Sequence, residues 1–295
     1  MAVVAEGPRV VPSERRKPFW LIPNLLSLDA PLVAVAWLYM FAKTWRVEYL
    51  PWGAYISLGL MVWLIYVVDR LLDASLRGGT SEKLEARHDF HRKHRRRFAV
   101  LAVIAGVAAL VLVITGMPVT VYSYAIVVAL MVAGFLTLSV FPTTGPSDLP
   151  YGKNILAGVA FAYGTAMLAH AYTGFDKRDL LQSPELICFA VLCILNISAI
   201  DLWEHANRSS DPEIKASDEL SLTLPLTLLG AASLVFAMRD PDVITRPFFY
   251  AILTGAALLQ ILNRVRSRFS MDALRVLADV ALIVPFIVFL AASKP

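Results

Sequence analysis

An all-α integral membrane protein is predicted, with nine transmembrane helices forming two four-helix units plus a ninth helix around a central cavity. Three observations carry that expectation. Of the 295 residues, 58% are hydrophobic and only 17% are charged, a balance too apolar for a domain with a polar shell. Apolar runs of membrane-crossing length recur along almost the whole chain; a hydrocarbon core of ~30 Å and a helical rise of ~1.5 Å per residue require about 20 residues each. Positive charge is spread very unevenly over the segments between those runs.

In chain order, residues 1–21 read as a cytosolic tail. The stretch MAVVAEGPRVVPSERRKPFW carries Arg9, Arg15, Arg16, Lys17 and three prolines, without the short apolar core and small-residue cleavage site of a signal peptide. A single transmembrane domain over 22–292 follows, with spans at about 22–43, 52–73, 98–115, 119–140, 151–172, 184–203, 220–238, 246–263 and 273–292. Gly116-Met117-Pro118 separates the third span from the fourth, and PTTGPSDLP separates the fourth from the fifth. The sixth span holds both cysteines, Cys188 and Cys193, which face different directions on a helix and form no disulfide or zinc framework.

Twenty of the 27 lysines and arginines fall on the tail and on the segments after even-numbered spans. By the positive-inside rule that side is cytosolic. The expected location is a multi-pass place in a bacterial inner membrane, with membrane lipids as surroundings and no nucleic-acid partner. Residues 74–97 form a basic cytosolic loop ending in RHDFHRKHRRR. It reads first as a solvated neighbour of anionic headgroups. His88, His91 and His94 recur every third residue, but six interleaved basic residues repel a cation, so phosphate is the better ligand for this segment.

Two acidic clusters interrupt this pattern. VVDRLLDASLR, at 67–77, places Asp69 and Asp73 on one helical face, one turn apart, with Arg70 beside them. Like charges so placed persist in water or around a cation; the plain alternative is a wet helix end with a snorkelling arginine. The sixth span ends in Asn196, Asp201, Glu204, His205, Asn207 and Arg208. Spans two and six run in the same direction, so both clusters emerge on the cytosolic side. Four carboxylates converging at the mouth of an apolar bundle suit hard divalent cations, and magnesium held by a few carboxylates keeps positions for phosphate oxygens. A lipid diphosphate, its tail between the helices, fits such a site.

At these residues the chain resembles the UbiA superfamily of membrane prenyltransferases. IYVVDRLLD, at 65–73, is similar to the family's first motif, of the form NDYFDRDID, with Ile65 and Tyr66 where Asn-Asp would stand. DLWEHANR, at 201–208, resembles the second motif, DxxDxxxD, with Arg208 in place of the last acid. LLSLDAPL at 25–32 looks like LMRLDKPI with Ser27 for its arginine, and YGKNILAGVAFAYG at 151–164 looks like the start of the family's fifth span.

The resemblance implies a magnesium-dependent transfer of a prenyl group from an isoprenoid diphosphate to an unidentified aromatic or lipid acceptor. Asp69, Asp73, Asp201 and Glu204 would be the catalytic, magnesium-holding residues, and Arg70, Lys153, Asn154 and Arg208 would bind the diphosphate. Trp63, Tyr66 and Trp203 are candidates to shelter a carbocation through their ring faces, or are ordinary interfacial aromatics. The missing acids leave a non-catalytic lipid- or quinone-binding relative as one rival, and the repeated four-span layout leaves a cation-coupled transporter as another. Asp29, His170, Asn263 and Asp279 are further polar residues in or beside apolar runs.

Overall fold

The computed structural model describes residues 18–76, 90, 93–141, 150–240 and 242–293, with the backbone alone at residues 73–76. All regular structure among them is helical. The long helices are α1 (Asp29–Thr44), α2 (Trp52–Leu76), α3 (Arg95–Gly116), α4 (Thr120–Val140), α5 (Tyr151–His170), α6 (Pro184–Arg208), α7 (Pro212–Arg239), α8 (Arg246–Val265) and α9 (Met271–Ile283), the last extended by α10 (Pro285–Ala292). A helix therefore occupies every stretch read as a span. Seven helices are long and apolar enough to cross a bilayer by themselves, and an eighth crossing results if Phe19–Leu25 and α1 count as one broken span. Helix α5 has 20 residues, but Lys153, Asn154 and His170 at its two ends lower its apolar content.

Helix α1 is the post around which the others stand. Ala34, Trp37, Leu38, Met40 and Phe41 have no exposed surface, because α2, α5 and α9 pack around this short helix. Trp37 stacks on Phe189 of α6 at 4.2 Å, meets Phe248 of α8 edge-on at 5.5 Å, and donates its indole N–H to the Leu282 carbonyl of α9 at 2.8 Å. One side chain thus ties four helices together. Such a post makes sense in lipid, where association rests on close packing and hydrogen bonds instead of water exclusion.

Helices α5 and α6 approach most closely at Gly158, where an added Cβ would stand 2.6 Å from Ile194 Cγ1 and 2.7 Å from its backbone nitrogen. Only a residue without a side chain allows that backbone contact. By contrast, α3 and α4 lie at the edge. Val103, Ile104, Val107 and Leu110 of α3 and Ile126 and Leu130 of α4 are each more than half exposed, as lipid-facing positions should be.

The first span is broken, not continuous over 22–43. Phe19–Leu25 meets α1 at 77°, and Ser27 at the corner has φ of 58°, a left-handed conformation costly for a residue with a Cβ. Helix α2 holds that corner in place. Arg70 Nη1 donates to the Asn24 carbonyl at 2.6 Å and to Ser27 Oγ at 2.7 Å, and Trp63 Nε1 donates to the Leu26 carbonyl at 2.9 Å. Backbone groups released by the break are thereby satisfied, which apolar surroundings demand. The ninth span has a second interruption at Val284, where Pro285 begins α10.

Candidate functional site

The carboxyl ends of α2, α4, α6 and α8 and the amino ends of α5, α7 and α9 gather at one end of the bundle. Each contributes polar side chains there. Ser139, near the last residue of α4, donates to Asp69 Oδ1 on α2 at 3.3 Å. Asn154, buried in the first turn of α5, donates through Nδ2 to Asp201 Oδ2 on α6 at 2.7 Å. The preceding residue, Lys153, has its Nζ 5.1 Å from the centre of the Phe135 ring, one turn below Ser139 on α4. The start of α5 thus joins the ends of α4 and α6, and α4 in turn reaches Asp69 of α2. Asp73 continues the face of Asp69 one turn on, but its side chain lies outside the described residues, as do His88 and His91.

The remaining expected site residues are engaged differently. Glu204 is held from both sides: Arg275 Nη2 of α9 lies 2.5 Å from Oε1, and Arg208 Nη2 lies 3.5 Å from Oε2. Arg275 is only 4% exposed, so this is a buried ion pair and both carboxylate oxygens already accept from guanidinium groups. Arg208 is an exposed i,i+4 partner of Glu204. Arg70 faces inward to the corner after Asn24. Of the aromatic candidates, Trp63 is committed to Leu26, while Trp203 is 2% exposed and donates to Asn263 Oδ1 of α8 at 2.9 Å. Neither indole N–H points to a shared cavity. Tyr66 remains.

Magnesium requires oxygen ligands in octahedral array and is commonly held by one or two carboxylates, with phosphate and water completing the shell. Asp69 and Asp201 have the donor chemistry for such a site: both are carboxylates at one end of the bundle, Asp69 meeting Ser139 and Asp201 meeting Asn154. Glu204 does not fit, because its charge is compensated by two arginines. No group of three or more metal-ligating side chains is present among the described residues.

Several participants escape sequence reasoning. Arg275 counts in the sequence only as one more basic residue, and Ser139 as the end of an apolar run. His205 Nδ1 lies 2.8 Å from Asp218 Oδ2, tying the end of α6 to the first turns of α7. At the opposite end of the bundle Tyr124, His170, Asp176 and Lys177 line a cavity of about 320 Å³, with the Tyr124 hydroxyl 2.9 Å from His170 Nδ1. His170 is therefore a buried, hydrogen-bonded histidine. No known protein family, curated protein or solved structure matches this chain.

Proposed function

We propose that the protein is a UbiA-type membrane prenyltransferase, moving a prenyl group from an isoprenoid diphosphate to an acceptor dissolved in the bilayer. The observation that carries this reading is the chain of contacts at one end of an apolar bundle, in which Asn154 meets Asp201, Lys153 of the same turn lies over Phe135 of α4, and Ser139 of α4 meets Asp69. A diphosphate needs positive charge and hydrogen-bond donors; an isoprenoid tail needs apolar walls. Both are adjacent here.

Asp69, Asp73 and Asp201 would hold magnesium, which when bound neutralises the charge on the departing diphosphate. Lys153, next in sequence to Asn154, would add a cation for the diphosphate oxygens. The allylic C–O bond breaks with its electron pair leaving on the diphosphate, a bond forms between the prenyl carbon and the acceptor, and the acceptor gives up one proton. Apolar side chains keep water from the carbocation, and the Tyr66 ring, three residues before Asp69, offers it a face. Nine crossings, with the amino terminus and the acidic helix ends on the cytosolic side, belong to this reading.

A non-catalytic lipid or quinone binder is favoured by one observation, the capture of Glu204 by Arg275, which removes an acid from the metal set. Cation-coupled transport is favoured by none, since such sites lie near the bilayer midplane whereas Asp69 and Asp201 stand toward the ends of their helices. The deciding experiment incubates membranes containing the protein with labelled prenyl diphosphates and magnesium. Release of diphosphate that falls at least 100-fold in Asp69→Asn and Asp201→Asn, the scale of a lost electrostatic contact, supports the enzyme. Absence of both binding and turnover rejects it.

A further inference from the structure

The cavity at the end of the bundle opposite the acids has a wall of mixed chemistry. Thr120 and Tyr124 of α4, His170 at the end of α5, and Phe175, Asp176 and Lys177 of the segment that follows line its volume of about 320 Å³. That is the lower end of the range for ligand clefts, ~300–1,000 Å³. Lys177 is exposed and makes no ion pair among the described residues; its Nζ lies 5.2 Å from the centre of the Tyr124 ring. The acid on the wall, Asp176, is turned to the backbone: its Oδ1 accepts from the Arg178 nitrogen at 3.2 Å and caps the short helix Lys177–Gln182.

Tyr124 and His170 are only 3% and 4% exposed. The phenol oxygen lies 2.9 Å from Nδ1, and Nε2 has no hydrogen-bond partner among the described residues. A neutral imidazole carries its proton on one nitrogen. On Nε2 that proton would make an orphaned buried N–H, which folded proteins avoid more strictly than an orphaned acceptor. Nδ1 therefore donates to the phenol oxygen, and the Tyr124 hydroxyl proton is left without an acceptor among the described residues. Thr120 offers a second hydroxyl, held only by the Ala171 carbonyl at 3.5 Å.

An ammonium and two hydroxyls on one cavity wall make a donor set for an anion, and a phosphate has oxygens enough for all three. The surroundings point to its source. Helix α4 runs from the cavity into the bilayer with Val119, Ile126 and Leu130 exposed along one face, a surface that acyl chains can follow. Phe175, also exposed, lines the cavity as an aromatic suited to the level where headgroups and chains meet. We infer that this cavity seats the phosphodiester of a membrane phospholipid, which accepts from Lys177 Nζ and from the hydroxyls of Tyr124 and Thr120 while its chains lie along α4. The lipid joins the amino end of peripheral α4 to the segment after α5. This site stands at the far end from the proposed chemistry and does not depend on it.

The test strips the full chain of lipid in a neutral maltoside detergent and returns phosphatidylglycerol, diacylglycerol with the same chains, or inorganic phosphate, with bound lipid counted by native mass spectrometry. Phosphatidylglycerol should bind at least about tenfold more tightly than diacylglycerol. Lys177→Gln should weaken it about tenfold, the scale of one charge-assisted hydrogen bond, and Lys177→Arg should retain it. Tyr124→Phe keeps the ring and should weaken binding about fivefold. Lys43 is the matched control, since its Nζ also stands over a tyrosine ring, 5.7 Å from that of Tyr39, at the same end of the bundle but off the cavity wall; Lys43→Gln should change nothing. The inference is overturned if phosphatidylglycerol fails to bind, if the two lipids bind equally, if Lys177→Gln or Tyr124→Phe binds like the wild type, or if Lys43→Gln weakens binding as much as Lys177→Gln. Displacement of the lipid by an equal concentration of inorganic phosphate overturns it too, since the site would then be one for free phosphate.

Discussion

Arg70 shows how a residue placed in a motif can serve two neighbours at once. Its guanidinium is 5% exposed and bonds the corner that follows Asn24, so its first task is to hold Ser27 in a left-handed conformation. Arg70→Leu should lower the unfolding free energy in detergent by about 1–3 kcal/mol, the cost of leaving buried acceptors unmatched, and Arg70→Lys should recover only part of it because the shorter lysine does not carry its nitrogen to the place of Nη1, from which both bonds are made. A guanidinium serving only substrate would leave stability unmoved in both. Asp69 and Asp201 were legible in sequence because periodicity alone puts them at matching ends of spans two and six. Arg70 was legible as a charge in the wrong place, but its partners lie more than 40 residues away, and nothing local announces them.

At the scale of helices, the pairing of α6 with α9 rests on Glu204 and Arg275, and that of α5 with α6 on Gly158. Neutralising Glu204 to Gln removes the shorter ion pair of a buried guanidinium that keeps Asp272 at 3.4 Å, a loss of about 1.5–3 kcal/mol on the scale of a hydrogen bond to a charged group. The double change Glu204→Leu with Arg275→Leu should restore most of it. Manganese binding followed by paramagnetic resonance should be unaltered by Glu204→Gln and weakened by Asp69→Asn; equal weakening would return Glu204 to the metal set. Gly158→Val drives a branched side chain into the backbone at Ile194 and should cost about 1–3 kcal/mol or more, read as a lowered thermal midpoint. Sequence spacing predicted that Asp201 and Glu204 share a helical face, which α6 provides, but a face does not specify a partner. Arg275 reaches Glu204 because α9 packs beside α6, information contained only in the tertiary contacts. The bend before α1 was illegible for a similar reason: LLSLDAPL is apolar enough to continue a helix, and the corner exists because α2 supplies donors to close it.

For the whole molecule, charge asymmetry gives a direct test of orientation. Leu181 and Ser210 are both exposed and lie on either side of α6, whereas Cys188 and Cys193 are buried and give little background. A membrane-impermeant maleimide added outside intact cells should label Leu181→Cys and spare Ser210→Cys until the membrane is opened; the reverse pattern would place the acidic end outside. The positions of the long helices were readable from hydropathy because a bilayer sets a length and excludes charge, and seven of them are long and apolar enough to cross by themselves. How the helices cluster was not, because lipid-facing and protein-facing apolar residues look alike in sequence: Leu130 is 69% exposed and Leu192 fully buried. That likeness matters for α4, in which only Val121 and Tyr124 are fully buried. Ser139 depends on this peripheral arm for its reach to Asp69, so a harsh surfactant that strips annular lipid should detach the arm before disturbing the trunk, and the choice of solubilising agent then governs whether that contact survives purification.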